Sequence, residues 1–185
     1  ISFEKAEELY KRGLNYDVVI HVYTRDAVYA YNLTEDEKQY VQNRQEMTEI
    51  FDQNLDFLKG QEIVKVLYTN TDFDYLQSIA RNVEDITFDM DVSYSSNRYL
   101  EFNHQGVNKG AGLKQLANLL HIDIQDTMAI GDNYNDLSMI KAAGLGVGVQ
   151  NAAPGIKPDC DYITHATCEQ GAVCEAIEKF VLKGE

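Results

Sequence analysis

The second half of the chain alternates short apolar segments with amphipathic helices, and this order restricts the fold more than any other feature. Strands are predicted over residues 127–131 (TMAIG), 145–149 and 161–164, and helices over 109–121, 134–142 and 169–182. Short, continuously apolar strands that are separated by helices indicate a parallel sheet buried on both faces. The sequence therefore predicts a doubly wound α/β arrangement after residue 105.

The first half of the chain has a different pattern, typical of an α+β fold with antiparallel hairpins. Helices are predicted over 2–13, 34–46 and 72–83, and strands over 17–23, 27–31, 62–69, 86–94 and 98–103. The segment 86–94 alternates apolar and polar residues most regularly. Thr34 and Glu37 have the spacing of a capping box at the start of a helix. The change of pattern near residues 104–107 predicts two domains, 1–104 and 105–185.

The charge of the chain makes several partners improbable. Asp and Glu number 30 against 16 Lys and Arg, which gives a net charge of −14. Such a chain repels nucleic acid and anionic lipid, so neither is expected as a partner. No apolar run reaches the length of a membrane span. Three cysteines cannot all pair, and no signal segment opens the chain, so a cytoplasmic location is predicted.

Polar residues follow the apolar strand at 127–131 directly. Asp132 comes after the strand, and Asn135 and Asp136 lie at the start of the next helix. Ligands of open α/β sheets bind at the carboxyl ends of the strands, and carboxylate and amide oxygens suit Mg²⁺. The same residues are also common helix caps. The segment on its own therefore supports a magnesium site and simple capping equally.

A lysine opens the helix predicted over 109–121. Lys109 is followed by Gly110, Ala111 and Gly112, small residues that allow close approach to the backbone. A helix N-terminus with a cationic side chain favours bound anions. Taken alone, however, the segment fits an ordinary surface lysine better than an anion site.

Two sequence blocks taken together identify a family. The block NKGAGL at 108–113 precedes IGDNYNDLSMI at 130–140, and a Gly-rich strand at 144–149 follows. These blocks in this order resemble the haloacid dehalogenase (HAD) superfamily, and in particular its Cof-type phosphatases. The resemblance extends from about residue 98 to the end of the chain. The preceding block is more loosely similar to the C2-type α/β cap of that family, so a partial Rossmann-like parallel core with a cap domain is implied.

The resemblance also implies roles for four residues. Lys109 would neutralise the phosphoryl oxygens and act in catalysis. Asp132 and Asp136 would hold Mg²⁺, with Asp136 also catalytic and paired with Lys109, and Asn135 would help to bind phosphate. The implied activity is Mg²⁺-dependent hydrolysis of small phosphorylated metabolites such as sugar phosphates.

The chain departs from the family at the nucleophile. The family's Asp-x-Asp-Gly-Thr motif is absent. Asp72 and Asp74 have the spacing of its two acids but lack the following Gly-Thr, and helix capping by Asp72 is favoured. The chain is therefore expected to be a phosphatase lacking its amino-terminal segment, and inactive by itself.

Two further expectations follow from the missing segment. Half of a doubly wound sheet exposes a strand edge, through which a homodimer could form. A non-catalytic domain that binds Mg²⁺, phosphate or a partner protein is the alternative function.

Overall fold

The structure, a computed structural model, describes residues 1–182. The chain divides into two compact units, the first from Ile1 to Gly106 and the second from Val107 onward. Each unit contains one sheet, of six strands in the first and three in the second. Among the described residues, no helix is both long and apolar enough to cross a membrane.

The first unit is an α+β domain, as the sequence predicts. Its helices are α1 (Phe3–Gly13), α2 (Glu35–Val41), α3 (Phe73–Asn82) and α4 (Glu84–Thr87), and its strands are β1 (Val19–Thr24), β2 (Val28–Tyr31), β3 (Thr48–Ile50), β4 (Ile63–Thr69), β5 (Met90–Ser95) and β6 (Tyr99–His104). The strand order is β3-β2-β1-β4-β6-β5. Strands β2 and β3 are parallel, and the other neighbours are antiparallel.

One face of this sheet packs against α1 and α3 and forms the core of the first unit. Successive strand residues point to opposite faces, so alternate apolar residues of three strands meet the two helices. The fully buried residues of this core include Leu9, Tyr10, Ile20, Val22, Val66, Tyr68, Leu76, Ile79, Leu100 and Phe102. The Tyr68 hydroxyl donates to the Leu9 carbonyl and links β4 to α1.

The other face of the sheet carries a buried polar cluster formed by His21, Glu37, Arg98 and Tyr99. Arg98 Nη2 donates to Glu37 Oε2 at 2.8 Å, and the Tyr99 hydroxyl donates to Glu37 Oε1 at 2.8 Å. Glu37 thereby ties α2 to the sheet. Thr34 caps α2 as predicted, since its hydroxyl accepts from the Glu37 N–H at 3.2 Å. The predicted capping box is wrong in its other half, because the Glu37 carboxylate points into the cluster.

His21 makes the stability of the first unit depend on pH. Burial, together with the charges of Lys65 and Arg98, lowers the pKa of His21 to about 3. The unfolded chain takes up this proton near the ordinary pKa of 6.5, whereas the folded chain does not. The free energy of unfolding should thus fall by up to about 2 kcal/mol between pH 7 and pH 5.

Burial raises the pKa of Glu37, which partly offsets this loss in acid. Chemical denaturation of His21→Gln across the same pH range should give a flatter curve than the wild type. Equal slopes for the two proteins would contradict the account of His21.

Two predictions about the first unit are wrong in extent. The strand predicted over 86–94 begins only at residue 90, because residues 84–87 form α4. There Thr87 is buried and its hydroxyl donates to the Val83 carbonyl, whereas Phe88 is 78% exposed, the reverse of the predicted alternation. The helix predicted over 34–46 ends at Val41, because the following residues are polar and turn the chain toward β3. Strand β3 itself is too short and polar to predict.

The second unit has the predicted alternation of helices with parallel strands. Its elements are α5 (Lys109–Leu120), β7 (Met128–Gly131), α6 (Leu137–Ala142), β8 (Leu145–Gly148), β9 (Tyr162–Ile163) and α7 (Ala172–Ile177). The strands form a parallel sheet in the order β7-β8-β9. The helix predicted from residue 134 starts as a 3₁₀ turn, and the one predicted from 169 starts at 172 and continues as a π-helical turn.

Candidate functional site

A lysine and a buried aspartate meet in the second unit. Lys109 is the first residue of α5, and its Nζ donates to Asp136 Oδ1. The Asp136 side chain is 5% exposed and the Lys109 side chain 49% exposed. Asn108 starts the helix, since its side-chain oxygen accepts from the Ala111 N–H at 2.9 Å. The cap fixes where α5 begins and therefore where Lys109 lies.

The second oxygen of Asp136 binds the backbone that follows β7. Asp136 Oδ2 accepts from the N–H groups of Asp132 at 2.9 Å and Asn133 at 3.2 Å. In return Asn133 caps the turn, and its Oδ1 accepts from the Tyr134 N–H at 2.8 Å. This reciprocal capping box ties the end of β7 to the 3₁₀ turn that precedes α6.

Two glycines allow these elements to approach each other. A Cβ on Gly131 would overlap the Asp136 side chain, and a Cβ on Gly110 would overlap the Ser138 carbonyl. The Gly110 N–H donates to Ser138 Oγ at 2.9 Å, which joins the start of α5 to α6. Gly110 and Gly131 are therefore required for close packing around the lysine–aspartate pair.

The two aspartates differ in their protonation. Burial alone would raise the pKa of Asp136, but the hydrogen bond from Lys109 and those from the two backbone N–H groups lower it overall. Partial burial and the neighbouring charge of Asp136 raise the pKa of Asp132, and Lys109 opposes this shift. The hydrogen bonds thus favour the ionised form of the buried Asp136 carboxylate, whereas the Asp132 carboxylate is more exposed and lies at the end of β7.

All four residues predicted for the site belong to the second unit. Lys109 and Asp136 are in contact, Asp132 meets Asp136 through its backbone, and Asn135 lies half-buried in the same 3₁₀ turn. The structural contributions of Asn133 and Ser138 were not predicted from the sequence. The Asn-x-x-Asp spacing of Asn133 and Asp136 is a capping-box signal that could have revealed the first, whereas the Ser138 contact depends on the packing of two helices.

The carboxylate oxygens of Asp132 and Asp136 are donors of the kind that Mg²⁺ prefers. Mg²⁺ in proteins commonly keeps several waters and binds one or two carboxylates. Asp132 offers an exposed carboxylate, while both Asp136 oxygens already accept hydrogen bonds. Within residues 1–182 no group of three or more His, Cys, Asp or Glu side chains surrounds a potential metal position. Any ion held here would therefore depend mainly on Asp132 and on non-protein oxygens.

Asp72, which has the spacing of the first acid of the family's nucleophile motif, caps a helix, as the sequence favours. Asp72 Oδ1 accepts from the Tyr75 N–H at 3.0 Å, at the start of α3 in the first unit.

A family model and several known proteins match this chain. The sequence model of the haloacid dehalogenase-like hydrolases matches residues 1–177. YxeH of Bacillus subtilis (strain 168) is 30% identical over 98% of this chain and 67% of its own length. The 5-amino-6-(5-phospho-D-ribitylamino)uracil phosphatase YcsE of the same strain is 38% identical over 58% of this chain. That match spans 41% of YcsE, less than half of its length.

A solved structure shares the fold. The HAD subclass IIB sugar phosphatase BT4131 superposes with a TM-score of 0.84 over 97% of this chain and 67% of its own chain, at 17% identity. The parallel sheet with its cap domain therefore has the architecture expected from the sequence. The family match covers nearly all of the described residues, and the chain belongs to the haloacid dehalogenase-like hydrolase family.

Proposed function

We propose that this chain supplies the magnesium-binding and phosphate-binding part of a phosphatase that acts on small phosphorylated metabolites. The observation that carries the proposal is the contact between Lys109 and the buried Asp136, beside Asp132 at the end of β7. YcsE and BT4131 are both named as phosphatases, which supports the same reaction class. Sugar phosphates are the proposed substrates.

Each residue has a distinct proposed task. Asp136 orients Lys109, and the lysine ammonium attracts the phosphoryl oxygens and neutralises their charge. Asn135 donates its amide to the same group. Asp132, with Asp136 close by, would hold Mg²⁺, which supplies further charge neutralisation when bound. The overall charge of −14 repels phosphate esters. Binding of a phosphate ester therefore depends on the local positive charge of Lys109.

Hydrolysis needs a nucleophile, and these residues do not provide the family's motif for it. No Asp-x-Asp-Gly-Thr occurs in the sequence, and the aspartate with similar spacing, Asp72, caps α3. We therefore propose that the chain binds phosphate but does not form a phosphoryl-aspartate at a useful rate.

Strand β7 offers the surface for the proposed homodimer. In the described part of the chain, β7 has one neighbouring strand, β8. On the same unit, α5 exposes Leu116, Leu119 and Leu120. A free edge with exposed leucines favours association. The net charge opposes it, so the dimer should be favoured by salt.

The turnover of p-nitrophenyl phosphate tests the proposed inactivity. A sample with the mass of this chain, 21.0 kDa, should hydrolyse the ester no faster with Mg²⁺ than without it. Light scattering on the same sample should give twice this mass at high salt. Mg²⁺-dependent turnover that Asp132→Ala abolishes would show that a nucleophile lies within these residues. A monomer at every salt concentration would contradict the dimer alone.

A further inference from the structure

The first turn of α5 carries backbone N–H groups that have no acceptor within the helix. Two of them donate to side-chain oxygens instead. The Ala111 N–H donates to Asn108 Oδ1 at 2.9 Å, and the Gly110 N–H donates to Ser138 Oγ at 2.9 Å. Asn108 directly precedes the helix, whereas Ser138 belongs to α6, 28 residues further along the chain than Gly110. The Ser138 hydroxyl therefore caps α5 through a tertiary contact.

These two caps reduce what the helix N-terminus itself can offer to an anion. Free N–H groups at a helix start are the usual donors to a bound phosphate, but those of Gly110 and Ala111 already have acceptors. The close approach of the Ser138 carbonyl to Gly110 also covers this part of the turn. An anion at the start of α5 therefore depends mainly on the Lys109 ammonium, so the position of that ammonium decides how well the anion is held.

Ser138 and Asp136 hold two consecutive residues of α5. Lys109 Nζ donates to Asp136 Oδ1, and the N–H of the next residue, Gly110, donates to Ser138 Oγ. Asp136 ends the 3₁₀ turn, and Ser138 is the second residue of α6, which follows that turn directly. The start of α5 is thus attached to one short stretch of chain at two points, once through its backbone and once through the lysine side chain.

The lysine side chain needs the backbone attachment because the lysine is the less restrained partner of the ion pair. Asp136 is 5% exposed and is fixed by the N–H groups of Asp132 and Asn133. The Lys109 side chain is 49% exposed, and its four-carbon stem is flexible. Its ammonium stays beside Asp136 only while the backbone of α5 keeps the stem within reach. The hydrogen bond from Gly110 to Ser138 holds the backbone at the adjacent residue.

We infer that Ser138 is a positioning residue of the phosphate site, because its hydroxyl fixes the start of α5 and thereby holds the Lys109 ammonium beside Asp136. The inference rests on the proposed function, in which Lys109 attracts the phosphoryl oxygens. Ser138 acts through Lys109 and contacts neither the phosphate nor the metal. The phosphate affinity of the chain therefore depends on a neutral hydroxyl of α6 as well as on the charged residues of the site.

Ser138→Ala tests the inference, because it removes the acceptor of the Gly110 N–H and leaves every charge in place. Thr127→Ala is the matched control. Thr127 is half-buried like Ser138, and its hydroxyl donates to the Ile124 carbonyl at 2.6 Å. It precedes β7, at the end of the strand opposite to Asp132. Both variants lose one hydrogen bond in the second unit, so their unfolding midpoints should shift by similar amounts.

The exchange of the Lys109 ammonium protons with water, measured by NMR without phosphate, shows directly whether the ammonium is held. The signal is assigned by its loss in Lys109→Arg. We expect Ser138→Ala to speed this exchange at least about threefold and Thr127→Ala to leave it within about 1.5-fold. Phosphate binding with Mg²⁺, measured by titration calorimetry, should weaken about three- to tenfold in Ser138→Ala and less than about twofold in Thr127→Ala.

Unchanged ammonium exchange in Ser138→Ala would overturn the inference, and so would equal effects of Ser138→Ala and Thr127→Ala on phosphate binding. Tighter phosphate binding by Ser138→Ala would overturn it as well, since the released Gly110 N–H would then be the better anion donor. A wild-type chain that binds no phosphate would contradict the proposed function. The ammonium exchange would still decide in that case whether Ser138 positions Lys109, so the two failures are distinguishable.

Discussion

Replacing Arg98 with methionine should lower the free energy of unfolding of the first unit by about 3–5 kcal/mol. Arg98 is 9% exposed and forms ion pairs with Asp36 at 2.5 Å and with the fully buried Glu37 at 2.8 Å. Its removal leaves the Glu37 carboxylate in the interior without its cation. Because typical domains are stable by only about 5–15 kcal/mol, this loss is a large fraction of the total.

Arg44→Met is the matched control for this experiment. Arg98 and Arg44 both lie over the Tyr40 ring, at 4.0 Å and 4.7 Å from its centroid. Arg44 is exposed, however, and should contribute no more than about 0.5 kcal/mol. Denaturant-dependent hydrogen exchange of the β1 and β4 amides measures the stability of the first unit separately from that of the second unit. Adding Glu37→Gln to Arg98→Met should recover part of the loss, since the buried charge is then gone. Similar stabilities for Arg98→Met and Arg44→Met would refute the role of the cluster.

Asp136→Ala and Asp132→Ala should have very different effects on stability. Asp136 accepts hydrogen bonds from Lys109 and from two backbone N–H groups, so its loss should destabilise the second unit by about 2–4 kcal/mol. The Asp132 side chain is exposed, and its substitution should change stability by less than about 0.5 kcal/mol. Both variants should lose Mg²⁺-dependent phosphate binding.

Hydrogen exchange of the β7 and β8 amides measures the stability of the second unit separately from that of the first unit. Asp159→Ala provides a comparison, because Asp159 also pairs with a lysine, Lys141 at 3.0 Å, but on the surface. It should cost no more than about 1 kcal/mol. If Asp132→Ala proved as destabilising as Asp136→Ala, Asp132 would be a structural residue and its proposed role at the metal would lose its support.

The parts of the structure that were predictable are those with strong local signals. The apolar run before Gly131 and the polar residues after it predicted β7 and a helix after it, because a buried parallel strand and a helix cap each leave a clear pattern. The 3₁₀ turn with which that helix begins was not predicted. The small residues after Lys109 also signalled a close approach to the backbone, which the structure shows at Gly110.

The parts that were not predictable depend on contacts between distant residues. Glu37 has the spacing of a capping residue, and only the sheet beneath it shows that its carboxylate meets Arg98 and Tyr99. Residues 86–89 alternate like a strand, yet burial of Ile86 and Thr87 together favours the helical turn of α4. In both cases tertiary packing overrides a local pattern.

The binding of inorganic phosphate, measured by titration calorimetry with and without Mg²⁺, tests the central claim most directly. If Lys109, Asp132 and Asp136 form a phosphate and magnesium site, the wild-type chain should bind phosphate at least about tenfold more tightly with Mg²⁺, and Asp132→Ala should remove this difference. The prediction applies to the folded chain whether or not it turns over an ester. Equal phosphate binding by both proteins, with or without Mg²⁺, would contradict the account.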